Sequence, residues 1–85
     1  MNWTLIVAKA ARKQLVRFPA KDQDKIAAAL KAMGDNPFSG DIAKLQGIEN
    51  RWRRRVGSYR VFFAVDTANR TVSVSAIVRR TSATY

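Results

Sequence analysis

Ten consecutive residues, Arg51-Trp52-Arg53-Arg54-Arg55-Val56-Gly57-Ser58-Tyr59-Arg60, hold five arginines, two aromatics and no acid. Guanidinium groups this close repel one another unless water screens them or an anion lies among them. Each can grip phosphate oxygens with two parallel hydrogen bonds. Such a stretch is suited to holding a polyanion and to stabilising charge that grows on a phosphoryl group. The sequence has no His and no Cys. The commonest general base near neutral pH, the commonest metal ligand, thiolate sites and disulfides are therefore missing. Any chemistry must run on Arg, Lys, Tyr, Ser/Thr and six carboxylates, of which Glu49 is the only Glu. No cofactor and no metal are expected.

The chain around this stretch is short. Eighty-five residues, 47% hydrophobic, make one domain, expected over 1–85, with a single modest core. A net charge of +10 favours nucleic acid, an anionic membrane or an acidic protein as partner. No apolar run approaches the roughly 18 residues of a spanning helix, which speaks against the membrane. Met1-Asn2-Trp3-Thr4 lacks the basic flank and cleavage site of a signal peptide, so a cytoplasmic protein is expected.

The elements that must position the arginines follow from periodicity. Trp3–Val7 is short, apolar and β-branched, a first strand. From Lys9 to about Phe18, Ala11, Leu15 and Phe18 fall on one helical face, and Pro19 ends that helix. A second helix starts within Pro19–Asp22; Ile26, Leu30 and Met33 form its apolar stripe and Gly34 is its expected C-terminal cap. Residues 35–41 are rich in turn formers, and Ile42 to Gly47 read as a short turn or irregular link. Three strands follow, about Arg51–Val56, Tyr59–Asp66 and Thr71–Arg79. The spacing predicts an α+β fold of order β-α-α-β-β-β. A helical hairpin packs on one face of a four-stranded antiparallel sheet whose last three strands form a meander.

Alternation along the strands sorts the side chains into two faces. Val72, Val74, Ala76 and Val78 belong with Tyr59, Val61, Phe63 and Val65, and with Trp52 and Val56, under the helices. Arg53, Arg55, Arg60 and Arg79 then project from the uncovered face, with Phe62 among them as a stacking platform. Interleaved arginine and aromatic planes on an open sheet suit single-stranded RNA. A basic face can also be plain solvated surface, but such faces usually mix signs, and this one has no acid at its predicted positions. Arg54 falls on the core side, where a sheet edge would let its stem be buried and its head reach water. Arg51 is expected as a peripheral electrostatic contact. A β-bulge would shift the alternation by one and undo part of this map.

The same residues resemble the RelE/ParE superfamily of toxins from type II toxin–antitoxin pairs. Lys44-Leu45-Gln46-Gly47 is similar to that family's K-L-x-G. Trp52-Arg53-Arg54-Arg55-Val56-Gly57-Ser58-Tyr59-Arg60-Val61 is similar to its W-R-x-R-x-G-x-Y-R-[VI]. Arg79-Arg80 and Tyr85 are similar to the basic residues and late tyrosine that finish RelE-type toxins. The resemblance implies one of two activities. RelE-type members cut mRNA in the ribosomal A site; ParE-type members inhibit DNA gyrase without nuclease chemistry. The retained residues stand closer to the first branch. Arg60 matches the arginine that holds the scissile phosphate, Arg53 and Arg55 match two basic positions on the preceding strand, and Arg79 or Arg80 matches the basic residue late in the last strand. Tyr85 matches the tyrosine that orients the nucleotide. Arg51, Phe62, Arg80 and Lys44 complete the expected RNA-binding set.

The implied reaction is attack of a ribose 2′-OH on its own 3′-phosphate. The RelE pattern places lysines where Arg53 and Arg55 stand, and an arginine cannot give up its proton at ordinary pH as a lysine can. The general base is therefore unassigned among Asp41, Glu49, Tyr85 and the terminal carboxylate. The resemblance further implies a cognate antitoxin, acidic and partly disordered when free, in a hetero-oligomer with this chain, and the ribosome and mRNA as targets.

Overall fold

The computed structural model describes residues 2–79. The chain runs β1 (Thr4–Val7), α1 (Lys9–Leu15), α2 (Ala20–Asp35), β2 (Ile42–Lys44), β3 (Arg51–Val56), β4 (Tyr59–Asp66) and β5 (Thr71–Arg79). The strands form one sheet in the order β1-β5-β4-β3-β2, with β4 at its centre. The α+β class holds, with two corrections. Ile42–Lys44, read as a link, is a fifth strand pairing antiparallel with β3; three residues are too few for alternation to show in the sequence. The sheet is also mixed, because β1 runs parallel to β5, Thr4 opposite Thr71 and Val7 opposite Val74. The two helices that follow β1 carry the chain back across the sheet, and that crossover makes a parallel pairing possible.

Local sequence accounts for the helix boundaries. Pro19 is the N-cap of α2, where its missing N–H costs nothing. Gln23 Nε2 of α2 donates to the Phe18 and Val16 carbonyls, 2.8 and 3.4 Å, tying α2 to the chain leaving α1. The helix does not end on Gly34. That residue is buried inside the last turn, its carbonyl accepts the Trp3 N–H at 3.1 Å, and Asn36 is the C-cap.

The core lies on one face of the sheet. Ile26, Leu30 and Met33 of α2 and Ala11 of α1 meet Val61, Phe63 and Val65 of β4 and Val72, Val74 and Ile77 of β5. α1 has only seven residues, too few to be stable alone. It lies along β5 just past the point where β1 stops. There Gln14 Oε1 accepts the Ile77 N–H at 2.8 Å. One side chain thus satisfies a backbone donor that no strand reaches.

The alternation breaks once. Phe62 is opposite Ala76 but Phe63 is opposite Val74, so Ser75 is the extra residue of a β-bulge. Ser75 Oγ donates to the Phe62 carbonyl at 3.3 Å. Beyond the bulge every side chain of β5 changes face. Ile77 is fully buried, whereas Ala76 and Val78, expected in the core, are half-buried on the uncovered face.

Candidate functional site

Directly opposed residues of antiparallel strands share a face. On the uncovered face Arg51 is opposite Ala64, Arg53 opposite Phe62, and Arg55 opposite Arg60. The bulged strand adds Ala76 beside Phe62 and Val78 beside Arg60. Arg51, Arg53, Arg55, Arg60 and Phe62 are thus brought together as expected. The hairpin that aligns them turns on Gly57 and Ser58. Gly57 has φ of +57° and no side chain to strain there, the pattern of a type II′ turn.

Two atoms stand out within this face. Arg53 Nη1 and Arg60 Nε are buried and have no hydrogen-bond partner among the described residues. A buried donor left unpaired costs about 1–3 kcal/mol, more when charged. The Arg55–Arg60 pair adds like charges directly across two strands, itself destabilising. Among the described residues one carboxylate lies within ion-pair reach of these arginines, Asp41 Oδ2 at 3.9 Å from Arg55 Nε. Their side chains are 58% and 40% exposed, so water screens that pair and it contributes little. Among the described residues the face therefore carries positive charge with little compensation, and two of its buried donors have no acceptor.

The remaining expected residues lie elsewhere. Arg79 is on the helix-covered side. The bulge reverses its direction, it pairs with Tyr59, and its guanidinium carbon stands 6.0 Å from the centre of the Tyr59 ring. Lys44 is opposite Trp52, so it too belongs to the other face, exposed on the edge strand. Arg80 and Tyr85 lie outside the described residues. Arg54 is on the core side, as expected, and is half-buried. Its guanidinium covers Gly40, where a Cβ would stand 2.8 Å from the guanidinium carbon, and Nη1 reaches the Ala29 carbonyl and Ser39 Oγ at 3.5 and 3.4 Å. It clamps β3 to α2 and to the loop that follows. Trp52 and Tyr59 are anchors: Trp52 meets Phe38 edge-on at 5.5 Å, and Tyr59 lies buried against Phe18 at 4.5 Å. The Tyr59 hydroxyl donates to Asp22 Oδ2 at 2.7 Å. That hydrogen bond, with burial and the charge of Asp22, raises the tyrosine pKa against the smaller opposing effect of Arg79.

Apart from Phe62, the sequence did not single out the apolar neighbours of the arginines. Leu45, Ile48, Phe62 and Ala76 border a concavity of about 380 Å³ with Arg51 at its rim. Leu45 alone could have been suspected, from its place in the Lys44–Gly47 motif. Ala76 could not, because its direction depends on the bulge.

Comparison with known proteins agrees with this architecture. The model of the family described as ParE toxin of type II toxin–antitoxin system, parDE, matches residues 5–83. No curated protein matches the sequence. Among solved structures, the archaeal RelE–RelB complex from Pyrococcus horikoshii OT3 contains a chain of like fold, with a TM-score of 0.85 and 22% identity over 98% of this chain and 100% of that one. The toxin–antitoxin complex RelBE2 from Mycobacterium tuberculosis gives 0.81 and 19%, over 94% and 100%. The isolated RelE toxin of E. coli gives 0.80 and 15%, over 95% and 87%. At these identities the likeness is one of fold. Among the described residues no helix is long and apolar enough to cross a membrane. The family model spans nearly the whole chain, and the protein belongs to the ParE toxins of type II toxin–antitoxin systems, within the RelE/ParE superfamily.

Proposed function

We propose that this toxin is a cytoplasmic endoribonuclease that cuts mRNA in the ribosomal A site and is held inactive by a cognate antitoxin. The observation that supports the reading most is the row of Arg53, Arg55 and Arg60 on one open face beside Phe62, with a single carboxylate in ion-pair reach among the described residues. A phosphodiester set among Arg53, Arg55 and Arg60 meets the exposed parts of their guanidinium groups. As the 2′-OH attacks the adjacent phosphorus, charge gathers on the phosphoryl oxygens, and guanidinium groups already fixed by the sheet stabilise it without rearranging. The 2′-oxygen forms the new P–O bond as its proton passes to a base, the bond from phosphorus to the 5′-oxygen of the next nucleotide breaks, and that oxygen takes a proton from water. The ribosome holds the mRNA for in-line attack. Asp41, next to Arg55, is the first group to test as the proton acceptor, and Tyr85 is the second.

In a translation reaction with purified ribosomes, Arg60→Ala should lower A-site cleavage on the order of 10²-fold or more. Unchanged cleavage would overturn the reading. A second reading, inhibition of DNA gyrase with no bond broken by the toxin, is favoured by the match to the ParE family model. Inhibition of supercoiling by a protein that leaves ribosome-bound mRNA intact would establish that one instead.

A further inference from the structure

We infer that the concavity beside the arginines is a pocket for one unstacked nucleobase. The inference rests on the nuclease reading for its biological sense, but its physical test does not. The floor is the half-buried ring of Phe62 with the small Ala76 next to it, and Leu45 and Ile48 form the wall. Ile48 is 50% exposed, an apolar side chain facing solvent at the mouth of a cavity. The volume, about 380 Å³, falls at the low end for small-ligand pockets. Position decides the chemical class of the occupant. Phe62 is directly opposite Arg53 and two residues along β4 from Arg60, so the apolar floor lies on the same face as these two arginines, with Arg51 in its lining. One flat apolar group joined closely to one anion is the outline of a single nucleotide: base over Phe62, phosphate over Arg53 and Arg60. Aromatic platforms of this kind bind bases by stacking and tolerate every base face, while the walls set preference.

The bulge sets which side chain faces Phe62. In an unbroken ladder Ser75 would stand opposite Phe62, Ala76 would turn to the core opposite Val61, and Ile77 would come onto the open face opposite Arg60. With Ser75 inserted, the smallest side chain of that stretch faces the ring, and the Ser75 hydroxyl holds the Phe62 carbonyl. Bulges occur often beside functional sites because they re-aim a side chain.

The test uses the full-length toxin with the four nucleoside 3′-monophosphates as probes, followed through the methyl signals of Ile48 and Ala76 in NMR. Saturable shifts of both methyls are expected with nucleotides and not with inorganic phosphate. Ala76→Leu, which fills the pocket, and Ile48→Ala, which removes its wall at an exposed position, should each weaken nucleotide binding by about tenfold. Their thermal midpoints would show that the fold is kept. On ribosomes, both variants should change which codons are cut, whereas Arg60→Ala should lower cutting at all of them alike. If nucleotides bind and shift the methyls but no mRNA is cut, the pocket stands and the nuclease reading falls. If the methyls do not move, or if both variants bind nucleotides as the parent does, the pocket is refuted. Loss of antitoxin binding by Ile48→Asp with nucleotide binding intact would make the concavity a protein interface and also refute it.

Discussion

Five arginines that look alike in sequence do three different things. Arg53, Arg55 and Arg60 share the open face, with Arg51 at its margin. Arg54 reaches into the clamp over Gly40. Arg54→Ala should therefore lower stability by about 1 kcal/mol, through lost packing of the stem and two long hydrogen bonds, and leave cleavage per folded molecule unchanged; thermal melting beside the ribosome assay checks both halves. Tyr59 gives a pH prediction. Its pKa is raised in the fold from an ordinary 10.0, chiefly by the hydrogen bond to Asp22. The stabilisation belongs to the neutral phenol. It is complete below the unfolded value and is lost as pH rises through the higher folded one. Melting temperatures taken from pH 8 to pH 12 should fall on the alkaline side, and Tyr59→Phe should be less stable at neutral pH but flatter above pH 10. Which face most of these residues occupy was legible in the sequence, since β3 and the start of β4 alternate without interruption. Arg79 was not, because its direction is fixed by an insertion four residues earlier that no local pattern announces.

At the scale of elements, the sheet is where sequence reading succeeded and also where it fell short. The stripes of α2 and the Tyr59-Val61-Phe63-Val65 set are long enough for their period to show. β2 has three residues and β1 has four, and their pairings are decided by distant partners instead of local preference. The edge of β5 was equally hidden. Its Ile77 amide is satisfied by a side chain from α1, 63 residues away in sequence. Gln14→Ala should leave that amide half-buried and unpaired, at a cost of about 1–2 kcal/mol. Hydrogen exchange at Ile77 should accelerate more than at Val61 in the centre of the sheet. Equal protection in parent and variant would show that the Gln14 contact contributes nothing.

For the whole molecule, the distribution of charge matters more than its sum. A net +10 draws any polyanion at a distance, and the open face offers it a row of guanidinium groups on a rigid frame. If Arg51, Arg53, Arg55 and Arg60 each contact one phosphate, the affinity for single-stranded RNA should fall with salt at a log–log slope of about −3, roughly 0.7 per contact. Arg60→Ala should reduce the slope by about 0.7, whereas Lys44→Ala, on the other face, should leave it nearly unchanged. Binding titrations between low and physiological salt measure both.

The parallel pairing of β1 with β5 bears on when the toxin comes into being. β5 lies between β1 and β4 and contributes Val72, Val74 and Ile77 to the core. A nascent chain that has displayed β1, both helices and even β4 still lacks the strand that joins β1 to the rest. Contacts of such high sequence separation form late and slowly. The arginine face, carried on β3 and β4, therefore gains its full support only once β5 has been made.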